Sequence, residues 1–378
     1  MKKKIIRVVT SDVSLGLLTG QLKYLNEHYE VVGVSSKGKK QKEVASKEGV
    51  KIISIQMERP ISLFKDLKSL YSLYIFFKKE KPFIVHSITP KAGLLSMVAS
   101  YFAKVPHRFH TFTGLIFPTK EGFSKKVLII TDRILCACAT KVFPEGNGVK
   151  KDLENYNITS KPLRVLANGN VNGIDINYYS PLHFSDQFKK KLKESLKIKN
   201  TDFVFIFIGR LVTDKGINEL IKAFNKLSKK YDGLKLLLVG TYEHKFDPLK
   251  PETIDIINHN EHIVSTGWVD DVRPYYAIAN VLTFPSYREG FPNVVIQAGA
   301  MGLPAIVTDI SGCNEIILEG KNGTIIPVKN EEILYDKMIE LYLNPKLFDQ
   351  AKCRELIVSR YEQQMVWKAI LDEYNKLF

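Results

Sequence analysis

The run Phe203-Val204-Phe205-Ile206-Phe207-Ile208 is six apolar residues without a polar break, closed at once by Gly209. A strand with one wet face alternates apolar and polar residues. An unbroken run needs both faces covered, as in a parallel sheet flanked by helices. The rest of the chain agrees. Further strand-like runs are expected at Ile5–Thr10, Val31–Ser35, Lys51–Ile55, Phe83–His86, Arg108–Thr111, Lys141–Phe143 and Leu163–Ala167, then at Leu234–Val239, Val281–Phe284 and Ala305–Thr308. Helix-period stretches lie between them: Leu63, Leu67, Leu70, Tyr71 and Tyr74 form one, and Gly216–Leu227, Pro292–Met301 and Glu331–Leu343 are others. This alternation predicts βαβ units building parallel sheets.

At roughly 100–200 residues per domain, 378 residues make two domains. The expected join lies in Asn168–Ser185, rich in Asn, Gly and Pro and poor in periodicity. The reading is therefore two Rossmann-like α/β domains facing a cleft, residues 1–172 and 173–360. Ligands are expected at the C-terminal ends of their strands. A last amphipathic helix is expected over Tyr361–Phe378.

No apolar run reaches the ~18 residues that a membrane span needs. The basic start, Met1-Lys2-Lys3-Lys4, runs into a short strand with Arg7 inside it, unlike a secretion signal. Cys136, Cys138, Cys313 and Cys353 are too few and too scattered for a disulfide framework or a zinc knuckle, and are expected as buried thiols. There is no Asp-x-Asp and no His/Cys cluster, so no metal site is expected.

Charge separates the halves. Residues 1–172 carry 29 Lys and Arg against 13 Asp and Glu, whereas residues 173–378 carry 26 against 27. A strongly basic half joined to a neutral one implies an anionic partner: nucleic acid, lipid headgroups or a phosphorylated substrate. The segment Ile61–Phe83 interleaves Phe64, Tyr71, Tyr74, Phe76 and Phe77 with Lys65, Lys68, Lys78 and Lys79. It reads either as a surface for anionic lipid or as a helix burying one apolar face on its own sheet.

The densest chemical signal is YREGFPNVVIQAGAMGLPAIVTDISGCNEII, from Tyr287 to Ile317. Glu289-Gly290 makes a turn, Pro292 suits a first helical turn, and the amides there suit an anion such as a diphosphate. Glu289 and Gln297, eight apart, can face one ligand over the helix start. A second signal follows the buried run: Gly209-Arg210-Leu211, then Asp214-Lys215-Gly216. Arg210 and Lys215 on one loop can offset a leaving diphosphate, Arg by its fork and Lys as a point charge.

In order and spacing these segments resemble the family 4 glycosyltransferases of the GT-B fold, whose pattern is G-R-x-x-x-x-K-G followed by E-G-[FL]-x5-E. His86–Gly93, His110–Gly114 and Asn170–Asp175 fit the capsule and lipopolysaccharide branch, so the likeness covers nearly the whole chain. GT-B enzymes have two Rossmann-like domains with the C-terminal helix crossing back to the N-terminal one. The resemblance implies that Gly209, Arg210, Lys215, Glu289, Gly290, Phe291, Asn293 and Gln297 bind a donor sugar nucleotide. It gives His110, Glu289, Arg210 and Lys215 catalytic roles, and puts Gly16, His86 and Lys91 on the acceptor side. By this resemblance His110, in the run Arg108–Thr111, matches the family histidine placed near the donor sugar. Gln297 stands where the family has a glutamate, which removes a charge from the expected ribose contact.

The implied reaction is metal-independent, cofactor-free transfer with retention, by a same-face mechanism, from a UDP-sugar to a polyprenyl-diphosphate-linked saccharide. The resemblance points to N-acetylgalactosamine as the sugar, and to a cytoplasmic enzyme held at the inner membrane face by anionic lipid. Lys215→Ala and Glu289→Ala are each expected to abolish most transfer and leave the melting temperature nearly unchanged. The alternatives are a same-fold sugar-nucleotide epimerase and a basic nucleic-acid-binding protein; no nucleic-acid motif is present.

Overall fold

The computed structural model describes residues 2–58, 62–243 and 247–378. Ile61, the first residue of the aromatic-rich segment, and Met1 lie outside them. The chain divides into two compact units, Met1–Gly173 with Gln363–Phe378, and Ile174–Glu362.

In the first unit, strands β1 (Lys4–Val8), β2 (Glu30–Ser35), β3 (Lys51–Ser54), β4 (Ile84–Ile88), β5 (His107–Phe112) and β6 (Lys141–Pro144) form one parallel sheet ordered β3-β2-β1-β4-β5-β6. In the second, β7 (Phe203–Ile208), β8 (Leu234–Val239), β9 (Ile263–Gly267), β10 (Val281–Phe284), β11 (Ala305–Thr308) and β12 (Gly323–Ile326) form another, ordered β12-β11-β10-β7-β8-β9. Both orders are the doubly wound arrangement. Strand order reverses between β1 and β4 in one sheet and between β7 and β10 in the other. All six residues of β7 are buried, as the unbroken apolar run requires.

Leu163–Ala167 is not a strand. It is an irregular segment in which Leu163 and Leu166 pack on the core. The expected terminal helix is two pieces, with Tyr361 ending the helix Gln350–Tyr361 and a separate helix spanning Gln363–Asn375. The latter belongs to the first unit, where Val366, Trp367, Ile370, Leu371 and Tyr374 complete one face of the core. Cys136, Cys313 and Cys353 are buried and Cys138 partly so, all as free thiols.

A polar group is enclosed in this core. Arg7 of β1 is buried, and its Nη1 lies 2.8 Å from His86 Nδ1 and 2.7 Å from Tyr374 Oη. His86 Nε2 lies 2.8 Å from Thr111 Oγ1. Because Arg7 can only donate, Nδ1 accepts and Nε2 carries the proton. Burial, with Arg7 adding to it, holds the His86 imidazole well below the usual histidine range, so it stays neutral. Tyr374→Phe removes a partner of both buried groups and is expected to cost about 1–3 kcal/mol, read by denaturant unfolding. A neutral result would mean that Arg7 is solvated in another way.

The helix Gly122–Cys138 carries a half-buried carboxyl, Asp132. Burial pushes its carboxyl up to about 7, whereas an unfolded Asp loses its proton near 3.8. Between those values the folded chain holds a proton that the unfolded chain has released, so this residue costs stability as pH rises. Asp132→Asn is therefore expected to raise the melting temperature more at pH 8 than at pH 5. An equal gain at both would show that Asp132 titrates normally.

Candidate functional site

The loops leaving β7 and β10 stand side by side at the strand-order reversal of the second sheet, where α/β proteins bind ligands. Gly209 ends β7, and Arg210 to Gly216 lead into the helix Ile217–Ser228. Gly216 has φ 70°, and a Cβ there would collide with the carbonyl oxygen of Pro285. Only glycine lets the first loop lie against the second this closely. Asp214 fastens the two: its carbonyl accepts from the Tyr287 amide at 2.8 Å, and its carboxylate pairs with Arg288 at 3.0 Å.

This clasp brings Lys215 and Glu289 into an ion pair, Nζ to Oε1, with side chains only 19% and 16% exposed. Ser286, fully buried at the end of β10, donates from Oγ to the same Oε1 at 2.8 Å. Lys215 Nζ also lies 5.3 Å from the centre of the Phe284 ring, near the distance at which a ring face attracts a cation. Arg210 is placed differently. Its Nη1 pairs with Glu243 Oε2 at 2.6 Å, and its side chain is 59% exposed. Within this unit, then, the structure unites Lys215 with Glu289 and leaves Arg210 on the rim of the same loop.

The following helix runs Asn293–Ala300, so Pro292 is its cap residue rather than part of its first turn. Gly312, with φ 76°, lies against Gly290, Phe291 and Pro292, where any side chain would collide with their backbone. Phe291 is buried edge-on to Tyr361, with ring centres 5.5 Å apart. Gln297, in the second turn, accepts from Tyr276 Oη at 3.4 Å through Oε1. Burial, with Glu289 nearby, drives the Cys313 thiol far up, so this cysteine is a protonated packing group.

In the first unit the corresponding reversal lies between β1 and β4. Gly16 is exposed in a short 3-10 turn after β1, with open space where its side chain would be. Lys91, in the first turn after β4, is not a free cation: its Nζ lies 2.6 Å from Asp66 Oδ2. The residue holding this end together is Thr89, a β-branched residue with φ 73°, whose Oγ1 meets Thr10 Oγ1 at 2.8 Å. Strain of that kind persists only where surrounding bonds enforce it, and it gathers at functional sites.

Both histidines lie inside strands. His86 lies inside β4, which continues to Ile88, and its imidazole belongs to the Arg7 network rather than to the strand's end. His110 lies within β5, which continues to Phe112. It is fully buried, with Nδ1 2.8 Å from Ser87 Oγ, and burial pushes its imidazole down to about 3. Sequence reading assigned no role to Ser286, Asp214, Glu243, Asp66 or Thr89. Each acquires its role only from a partner in another segment of the chain.

The family model for glycosyl transferases group 1 matches residues 188–355, and that for glycosyl transferase 4-like proteins matches residues 9–144. The capsular polysaccharide biosynthesis glycosyltransferase CapM of Staphylococcus aureus is 32% identical over 378 residues, covering 99% of this chain and 97% of the relative. A UDP-Gal:α-D-GlcNAc-diphosphoundecaprenol α-1,3-galactosyltransferase of Escherichia coli is 29% identical, covering 80% of this chain and 78% of the relative. Among solved structures, Anabaena HepE in complex with UDP and glucose superposes with a TM-score of 0.81 at 16% identity, covering 99% of this chain and all of that one. The end-to-end match to a capsular enzyme, with both halves matched by glycosyltransferase models, makes this chain a member of the family 4 glycosyltransferases of the GT-B fold.

Proposed function

We propose that this glycosyltransferase moves a sugar from a UDP-sugar to a polyprenyl-diphosphate-linked saccharide, at the inner face of the cytoplasmic membrane, in building a surface polysaccharide. The observation that carries the reading is the Lys215–Glu289 pair at the β7–β10 reversal. An ammonium has three protons, and the bond to Glu289 uses one of them. The others suit diphosphate oxygens, with the Arg210 fork beside them on the same loop. Both bonds to Glu289 fall on Oε1, so Oε2 suits hydroxyls of the transferred sugar. Gly209, Gly290, Phe291 and Asn293 supply backbone around the diphosphate, and Gln297 meets the ribose.

In this reading the charge of the leaving diphosphate is met by Lys215, Arg210 and helix amides without a metal. Transfer keeps the anomeric configuration. The bond from the anomeric carbon to the diphosphate oxygen breaks, and the acceptor oxygen bonds to the same face. The acceptor proton passes to the departing phosphate oxygen. Gly16, Lys91 and His86 stand for the acceptor side, His86 acting from within the fold. His110, neutral at physiological pH, contributes a fixed hydrogen-bonding group and no proton. The E. coli relative and the UDP-bound Anabaena structure support uridine. N-acetylgalactosamine is the proposed sugar; the relative's galactose shares its C4 configuration.

Lys215→Ala and Glu289→Ala are each expected to lower transfer by at least about a hundredfold, the scale for losing one preorganised charge contact. The ion pair revises the stability expectation. Each single change strands a mostly buried partner, so the melting temperature falls, and the double variant recovers part of it. Full turnover in either single variant would remove these residues from the site.

Thermal shift without added metal tests the donor. UDP at a hundredfold excess over its Kd is expected to add about 2.7 kcal/mol of stability. The shift should shrink in Arg210→Ala and Lys215→Ala and persist in Gln297→Glu. A shift with GDP, ADP or CDP in place of UDP would overturn the uridine assignment, and transfer from UDP-galactose but not UDP-N-acetylgalactosamine would overturn the sugar.

A further inference from the structure

The β7 loop has a second neighbour besides the β10 turn, the segment that leaves β8. The Leu211 amide donates to the Thr241 carbonyl at 2.8 Å. Thr213 Oγ1 donates to the Pro248 carbonyl at 2.7 Å, and the Asp214 amide donates to Asp247 Oδ2 at 2.7 Å. The two segments are thus fastened at three points. Asp247 is one of the fasteners, with its carboxylate committed to a backbone amide. Glu243 is not. Among the described residues its carboxylate has one partner, the Arg210 guanidinium, with Nη1 to Oε2 at 2.6 Å.

This pair adds little to the fold. Both side chains reach solvent, and water screens an ion pair placed there. The backbone bonds already hold the two segments together. What the pair does is seat a carboxylate on a guanidinium that stands on the same loop as Lys215. A guanidinium takes a carboxylate and a phosphate in the same forked geometry, so Glu243 occupies a place that a phosphate can fill. It does so by a single bond, where a diphosphate offers several oxygens. Glu289, the partner of Lys215, differs in this respect: the Ser286 hydroxyl donates to its carboxylate and fixes it. Glu243 has no such second bond, so rotation of its side chain frees Arg210 and leaves both segments in place.

We propose that Glu243 is a latch on Arg210. Its carboxylate holds the guanidinium while the donor site is empty, and the diphosphate of a nucleotide displaces it. The apparent affinity for nucleotide is then lowered by the fraction of molecules in which Arg210 is held. Donor and released nucleoside diphosphate share the diphosphate, so the latch weakens both and limits retention of the product. The inference rests on the reading of Arg210 as a diphosphate ligand. It explains why an acidic side chain stands where, without this role, it would only repel the substrate.

The test is calorimetric titration of UDP and of uridine into wild type, Glu243→Gln, Arg210→Ala and the double variant. Glutamine keeps the shape of the side chain and removes its charge. Glu243→Gln is expected to bind UDP about two- to fivefold more tightly than wild type, the fold-change that an exposed ion pair is worth. Uridine, which carries no phosphate, should bind both equally. In the Arg210→Ala background the change at Glu243 should have no effect, because nothing is left to hold. A gain that persists there would make Glu243 a distant repelling charge and overturn the latch. An equal gain for uridine would overturn it too, as would UDP binding in Glu243→Gln no tighter than in wild type. Each of these leaves Arg210 as a diphosphate ligand. Wild type that binds no UDP, or binds it no more tightly than Arg210→Ala does, would overturn the donor reading and the latch with it.

Discussion

The geometry of the β7–β10 loops depends on one close approach, that of Gly216 to the carbonyl of Pro285. A side chain at 216 would push the β7 loop off the β10 turn, and the ion pair between Lys215 and Glu289 would open with it. The charged groups do not create this geometry. Two mostly buried charges gain little net stability from each other, because desolvation cancels much of their attraction. They are held together by a backbone contact, the Asp214 clasp and the buried Ser286 hydroxyl, so the scaffold bears the cost of keeping them apart from water. This is the arrangement expected of groups positioned for a ligand's charge rather than for folding.

What the sequence made legible follows from where the physics is local. Strands β7, β8, β10 and β11 were readable to the residue because strands covered on both faces are dense in apolar residues, without a break in β7 and with one polar residue in each of the others. The edge strands β9 and β12 escaped notice, since IVSTG and GTII mix glycine and hydroxyl residues into the run and one side of each needs no partner. Leu163–Ala167 failed in the opposite direction, having the alternation of a strand without the ladder. Lys215 and Glu289 were found because a motif places them. Ser286, Asp214 and Thr89 were not, because a small polar residue has no period and acquires meaning only from a second loop.

The histidines mark a different limit. A histidine in a strand reads the same whether it faces a cleft or the core, since its ring suits either. Arg7 decides the case of His86: a guanidinium inside a sheet must find acceptors, and the imidazole and the Tyr374 hydroxyl are its nearest ones. One of those acceptors arrives from the far end of the chain, in the helix Gln363–Asn375. No local reading of β1 or β4 could supply it.

The helix Leu63–Glu80 shows how amphipathicity can mislead when only one stripe is counted. Leu73 and Phe77 satisfy the core, which makes the helix look complete, while Phe64, Leu67 and Tyr71 lie about half a turn away and remain uncovered. A soluble surface helix would fill those positions with charge. Here the charge is displaced to the helix end and its surroundings, where the basic excess of the N-terminal half gathers around Lys78, Lys81 and Lys104. Composition alone could locate that excess in a domain but could not tell a solvated face from a binding one. The distinction comes from adjacency: lysines without an ion pair beside an apolar groove combine exposed hydrocarbon and self-repelling charge on one face.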